Sequence, residues 1–239
     1  MDTNGLIDNR NAELWNSLRT VHEIQIRKES RADYLVFSKN DKNIIYVPID
    51  NADTASFTHE LLHIYLRTRK VFIGGGLSLS IKNSEKLSTI FSDKLIEHIG
   101  NCLDHIKMLP EFIRMGYDEC EFLSDYSVNK LTNDDVLKVR NHYTKSIFFK
   151  KVHNASAINF FIGKYFAANC CLNKSFDYQE QLIELRKIDF ELFLILEKLL
   201  TNWKNFNYTN TDPFTGGYNS LLHDFIDHLE KWACGKIIK

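Results

Sequence analysis

The sequence predicts a mainly α protein with a small antiparallel β-sheet, an α+β class. Apolar residues recur at three- and four-residue spacing along most of the chain. Two short segments, 34–37 and 44–47, are instead rich in aromatic and β-branched residues and are separated by the polar stretch 38–43. With only 3 Pro and 10 Gly in 239 residues, most of the chain is expected to fold.

Residues 11–29 read as a first helix, because Leu14, Leu18, Val21 and Ile24 repeat with helical period. The segments 34–37 and 44–47 then form an antiparallel hairpin, with Pro48 ending the second strand or marking a sheet edge. A helix over 54–69 follows, with Asp53 or Thr54 as N-cap and Arg67, Arg69 and Lys70 at the end where they suit the helix dipole. Gly74, Gly75 and Gly76 are expected to form a flexible loop, and a second long helix over 84–108 to stop before Pro110. Helices over 134–147, 155–171, 178–203 with a break near Asp189, and 218–232 complete the chain, and the polar stretch 209–217 is its clearest loop.

Charge and composition narrow the function classes. Thirty basic side chains nearly balance 31 acidic ones, for a net charge of −1, so nothing in the overall charge points to nucleic acid or an anionic membrane. The most core-like run, 190–200, contains Glu191 and Glu197, and no apolar stretch reaches the roughly 18 to 20 residues of a membrane span. The first residues lack a basic segment followed by an apolar one, so a cytoplasmic protein with no membrane partner is expected. Cys102, Cys120, Cys170, Cys171 and Cys234 are odd in number and contain no C-x-x-C, which fits reduced thiols.

One motif carries chemistry. His59-Glu60-Leu61-Leu62-His63 is an H-E-x-x-H sequence on a predicted helix shortly after a predicted strand. Four-residue spacing turns the second imidazole only about 40° from the first, so both can converge on one ion. Zinc suits neutral imidazole, and Glu60 sits where its carboxylate can act as general base without coordinating the metal. The uncharged flanks Thr58, Leu61, Leu62 and Ile64 fit a helix buried around such a site.

A third ligand must come from elsewhere. The H-E-x-x-H-x-x-G-x-x-H arrangement is excluded, because Leu66 and Arg69 occupy its Gly and His positions. The second long helix offers Glu97, His98, Asn101, Asp104 and His105 within an arc of about 120°, opposite Leu95, Ile99, Cys102, Leu103 and Ile106. A solvated polar face opposite a core stripe has the same pattern.

The stretch Glu97-His98-Ile99-Gly100-Asn101, followed by Met108-Leu109-Pro110, resembles the E-x-x-A-N helix closing near L-M-P that follows H-E-x-x-H in ImmA/IrrE-type bacterial metallopeptidases. The resemblance spans about residues 34–117 and implies a zincin-like core followed by a helical C-terminal half. It makes Glu97 the third zinc ligand, Gly100 a close-packing position against the motif helix, and Asn101 a supporting group that orients a ligand. His105 is the rival third ligand. The implied organisation is a metallopeptidase core over 1–117 and a helical region over 118–239, which is either separate or part of the same domain.

These readings lead to a zinc-dependent metallopeptidase that hydrolyses a peptide bond in a cytoplasmic protein or peptide substrate. The resemblance alone links it to a bacterial stress, mobile-element or phage-defence circuit. The alternative is a non-catalytic binding or signalling module that keeps zinc as a structural clip. Tyr65, His142 and Tyr143 could each stabilise an oxyanion, but spacing selects none of them. His223 and His228 stand five apart and read as ordinary partners of Asp224 or solvent. Cys170-Cys171 and the cluster Phe160, Phe161, Tyr165 and Phe166 read as core.

Overall fold

The computed structural model describes residues 5–39, 42–208 and 217–239. In chain order its elements are α1 (Ala12–Val21), β1 (Glu23–Glu29), β2 (Leu35–Lys39), β3 (Lys42–Pro48), α2 (Thr54–Thr68), α3 (Ile73–Lys82), α4 (Leu87–Ile90) and α5 (Asp93–Arg114). After a 3₁₀ turn at Glu119–Glu121 come α6 (Asn133–His142), β4 (Thr144–Ile147), β5 (Lys150–His153), α7 (Ala155–Asn169), α8 (Gln179–Ile188), α9 (Phe190–Asn205), α10 (Tyr218–Ala233) and β6 (Ile237–Ile238). The mainly helical α+β class holds. The loop expected over 209–217 falls almost wholly outside the described residues.

The chain divides into two compact units, Met1–Val71 with Ile106–Ser127 and Phe72–His105 with Val128–Lys239. Residues 72–105 sort with the C-terminal helices, 118–127 sort with the first unit, and α5 runs unbroken across the division between His105 and Ile106.

In the first unit the strand order is β1-β3-β2. The expected antiparallel hairpin is present as β2 and β3, but β1 pairs parallel to β3, so the sheet is mixed rather than antiparallel. The helix expected over 11–29 ends at Val21. Ile24 falls at helical spacing from Val21 but equally begins an Ile24–Ile26 alternation, and pairing with β3 decides for the strand.

The motif helix α2 matches expectation closely. Asp53 is its N-cap, its side chain accepting from the Ser56 amide at 2.7 Å. Fully buried Asn11 donates from Nδ2 to the Leu6 carbonyl and to Thr58 Oγ1, each at 2.9 Å, and Thr58 Oγ1 is hydrogen-bonded to the Tyr117 hydroxyl at 2.9 Å. Tyr117 stacks on Phe112 of α5, and the Arg10 guanidinium lies over the Tyr117 ring, 3.9 Å from its centroid.

In the second unit the three glycines are not a loop but the first turn of α3. A Cβ on Gly100 of α5 would stand 3.0 Å from Gly74 Cα, and one on Gly76 would stand 2.7 Å from Leu222 Cδ1. Gly76 and Gly100 therefore serve close approach between elements, and the partner of Gly100 is Gly74 rather than the motif helix. The single helix expected over 84–108 is divided at Phe91, whose backbone is extended, and Ser92 Oγ then accepts from the Leu95 amide. Past this start α5 continues through Pro110 to Arg114, with Met108 and Phe112 buried on either side of the proline. Their burial outweighs the one helical hydrogen bond that proline forfeits.

The helix expected over 134–147 stops at His142, and β4 and β5 follow as an antiparallel hairpin, with β6 parallel to β5. The two turn residues, Phe148 and Phe149, have φ of 47° and 63°. This is the type I′ geometry that Asn-Gly normally provides, and it costs about 1–2 kcal/mol per non-glycine residue. The break expected near Asp189 is present. Its carboxylate caps α9 through the Leu192 amide at 2.9 Å and also accepts from the Tyr143 hydroxyl at 2.9 Å and Trp232 Nε1 at 3.1 Å. All five cysteines are free thiols, and among the described residues no helix is long and apolar enough to cross a membrane.

Gly75 points into open space within α3, whereas a Gly100 side chain would press on backbone. Gly75→Ala is expected to raise stability by up to about 1 kcal/mol. Gly100→Ala is expected to lower it by about 1–3 kcal/mol. Thermal unfolding of the two variants measures the contrast.

Candidate metal centre

The middle of α2 is buried around most of its circumference, with Ala55, Phe57, Leu61, Leu62, Ile64 and Leu66 in the core together with His59 and Glu60. A helix this apolar on all sides is held by its surroundings, so its polar side chains occupy fixed positions. The His59 and His63 rings lie edge to face with centroids 5.1 Å apart, as four-residue spacing requires. Phe122, just after the 3₁₀ turn, covers the other side of His59 at 4.6 Å and is itself packed on Phe112.

The third member is His105 of α5. One ring nitrogen from each of His59, His63 and His105 lies within 4.8 Å of the others, forming a group that could hold a metal ion. The metal's identity is not fixed by this arrangement. The donor set nevertheless fits zinc: at ligand distances of 2.0–2.1 Å, tetrahedral nitrogens stand about 3.3 Å apart, a closure that small rotations of the rings supply. Glu97, which the resemblance makes the third ligand, is exposed and outside the group. It lies eight residues before His105, about 12 Å along the helix. Asn101 is also exposed. The structure thus brings together His59, His63 and the rival ligand His105, and does not bring Glu97 to them.

Burial sets the protonation of this site. The pKa of His59 is pushed down to about 3, first by desolvation and then by the neighbouring His63, while a hydrogen bond to the Phe122 backbone works the other way. The imidazole is therefore neutral at ordinary pH, the form a metal requires. Glu60 is displaced upward, chiefly by desolvation. His63, the Val36 amide and Arg31 oppose that shift. Glu60 Oε2 accepts from the Val36 amide at 2.8 Å, which ties the carboxylate to strand β2.

The other residues singled out by sequence have separate duties. Tyr65 accepts from Arg69 Nη2 at 3.2 Å and lines a cleft of about 420 Å³ with Arg10, Glu13, Leu62, Glu111 and Arg114, whose lining includes neither His59 nor His63. In the second unit, Tyr143 donates to Asp189 and His142 is exposed. His228 bonds the Asp224 carbonyl through Nδ1. Phe161, Tyr165 and Phe166 are core as expected, while Cys170 and Cys171 are half-buried just beyond the end of α7. Sequence reasoning missed Val36, which acts through its backbone amide, and Phe122, which acts through its ring and its backbone; no motif marks either. No family model, curated protein or solved structure matches the chain.

The depressed His59 pKa has a sign that can be checked on metal-free protein. Below about pH 6.5 the unfolded chain takes up a proton that the folded one refuses until about pH 3, so stability falls as the pH is lowered through this window. At about pH 4.5 the loss attributable to His59 is expected to be about 2–3 kcal/mol. Urea unfolding should show this loss in the wild type and a shallower one in His59→Gln.

Proposed function

We propose that this protein is a cytoplasmic zinc-dependent endopeptidase that hydrolyses a peptide bond in a protein substrate, with a zincin-like core built on helix α2. The observation that carries this reading is the convergence of His59, His63 and His105 beside the buried carboxylate of Glu60 on the same helix. The group has three members among the described residues. Three protein ligands with a fourth position left for solvent or substrate is the pattern of catalytic zinc, whereas structural zinc is closed by four. The resemblance to ImmA/IrrE-type peptidases makes a regulator of a bacterial stress or phage-defence circuit the substrate class to test first.

A bound zinc ion supplies Lewis acidity, enough to bring the pKa of water from 15.7 to about 7 and to polarise a carbonyl. Glu60 accepts a proton from the attacking water and returns it to the leaving amine. Its burial favours proton capture, because the neutral acid is the form that a desolvated site prefers. The Val36 amide anchors one carboxylate oxygen and so limits the directions from which Glu60 can exchange that proton. Phe122 holds His59 from behind, by its ring and its backbone, which fixes the orientation of that ligand.

Metal analysis together with a peptide-library cleavage assay tests the proposal. The wild type is expected to bind one zinc per chain, His105→Ala to lose at least about tenfold in zinc affinity, and Glu97→Ala to keep it. Glu60→Gln retains an acceptor for the Val36 amide and is expected to keep zinc while losing about 10²–10⁴-fold in cleavage rate. Equal cleavage by wild type and Glu60→Gln would overturn Glu60 as the base, and zinc uptake with no cleavage by the wild type would overturn the peptidase reading in favour of a binding module. A wild type that takes up no zinc would overturn both.

A further inference from the structure

The β4–β5 hairpin presents what a globular surface normally hides. Phe148 and Phe149 form its two-residue tip at 92% and 108% relative exposure, so both rings stand wholly in solvent. Their φ angles of 47° and 63° place both in the left-handed region, which Asn-Gly would occupy without strain. The chain thus bears two penalties at one point, a strained turn and two solvated rings. Among the described residues of the second unit nothing covers either ring, and a partner that takes up the rings offsets both penalties.

The surroundings of the tip specify the partner. Residues 143–153 contain no acidic side chain, and exposed Lys145, Lys150 and Lys151 stand on the strands behind the rings. The pairs Lys145↔Val152 and Ser146↔Lys151 put Lys145 and Lys151 on opposite faces of the hairpin, so cationic groups flank the tip on both sides. The order is apolar at the end and cationic one step behind. It matches the order met on entering an anionic bilayer, in which the acyl boundary lies beneath a layer of negative headgroups. A nucleic-acid platform would instead display its aromatics on a face, with the cations alongside.

We propose that this hairpin is a membrane-surface anchor, with Phe148 and Phe149 entering the headgroup–acyl boundary of an anionic bilayer and Lys145, Lys150 and Lys151 pairing with its headgroups. The near-zero net charge of the whole chain conceals this local cation cluster, and the contact requires no spanning helix. It is independent of the metal centre.

Co-sedimentation of the full chain with phosphatidylcholine vesicles, with and without phosphatidylserine, tests it. The wild type is expected to sediment with the anionic vesicles and to be released by salt, and each of Lys145→Gln, Lys150→Gln and Lys151→Gln to weaken partitioning about fivefold. Phe148→Asn combined with Phe149→Gly relaxes the turn while removing both rings. It is expected to lose at least about tenfold in partitioning with thermal stability unchanged or raised. Wild type that stays in the supernatant with anionic vesicles, or a double variant that sediments as well as wild type, overturns the proposal. Self-association or a shift of a single-stranded oligonucleotide, without vesicle binding, overturns it in favour of those occupants.

Discussion

Burying His59 and Glu60 in adjacent positions of one helix is the constraint on which the first unit is organised. An isolated carboxylate taken out of water costs several kcal/mol, and an imidazolium fares no better. The fold meets the first cost by giving Glu60 the Val36 amide and the second by leaving His59 neutral. Neither solution tolerates much movement of α2. The network of Asn11, Thr58 and Tyr117 grips the helix on a different side, where Asn11 is fully buried and saturated by Leu6, Asp8 and Thr58. Polar bonds of this kind specify one position of the helix, because sliding it would leave buried donors and acceptors unmet.

The motif and its helix were legible because they depend on neighbours in sequence. His59, Glu60 and His63 acquire their relation from helical pitch, Asp53 caps the very next turn, and Asp189 breaks and caps in the same local way. The third ligand was not legible to that degree. Periodicity collected Glu97, His98, Asn101, Asp104 and His105 on one arc, yet periodicity alone does not say which of them joins His59 and His63. His105 is the member that does.

Other misreadings have equally specific origins. At Ile24 the two periodicities coincide, so β1 was hidden within a helical pattern. The glycines of α3 carry a breaker signal, and only the neighbouring backbone of α5 reveals why they are tolerated in a helix. The β4–β5 turn was invisible because Phe-Phe is a core signal by composition, while its turn geometry is one that sequence assigns to asparagine and glycine.

The bond from Val36 to Glu60 has a consequence beyond chemistry. Strand β2 is one of the two outer strands of its sheet and carries exposed Leu35 and Phe37, the kind of margin on which foreign strands dock. By occupying an outward amide in the middle of that margin, the Glu60 carboxylate interrupts the ladder a second strand would need. The carboxylate that serves the site thus also keeps one main-chain donor of that edge engaged within the chain.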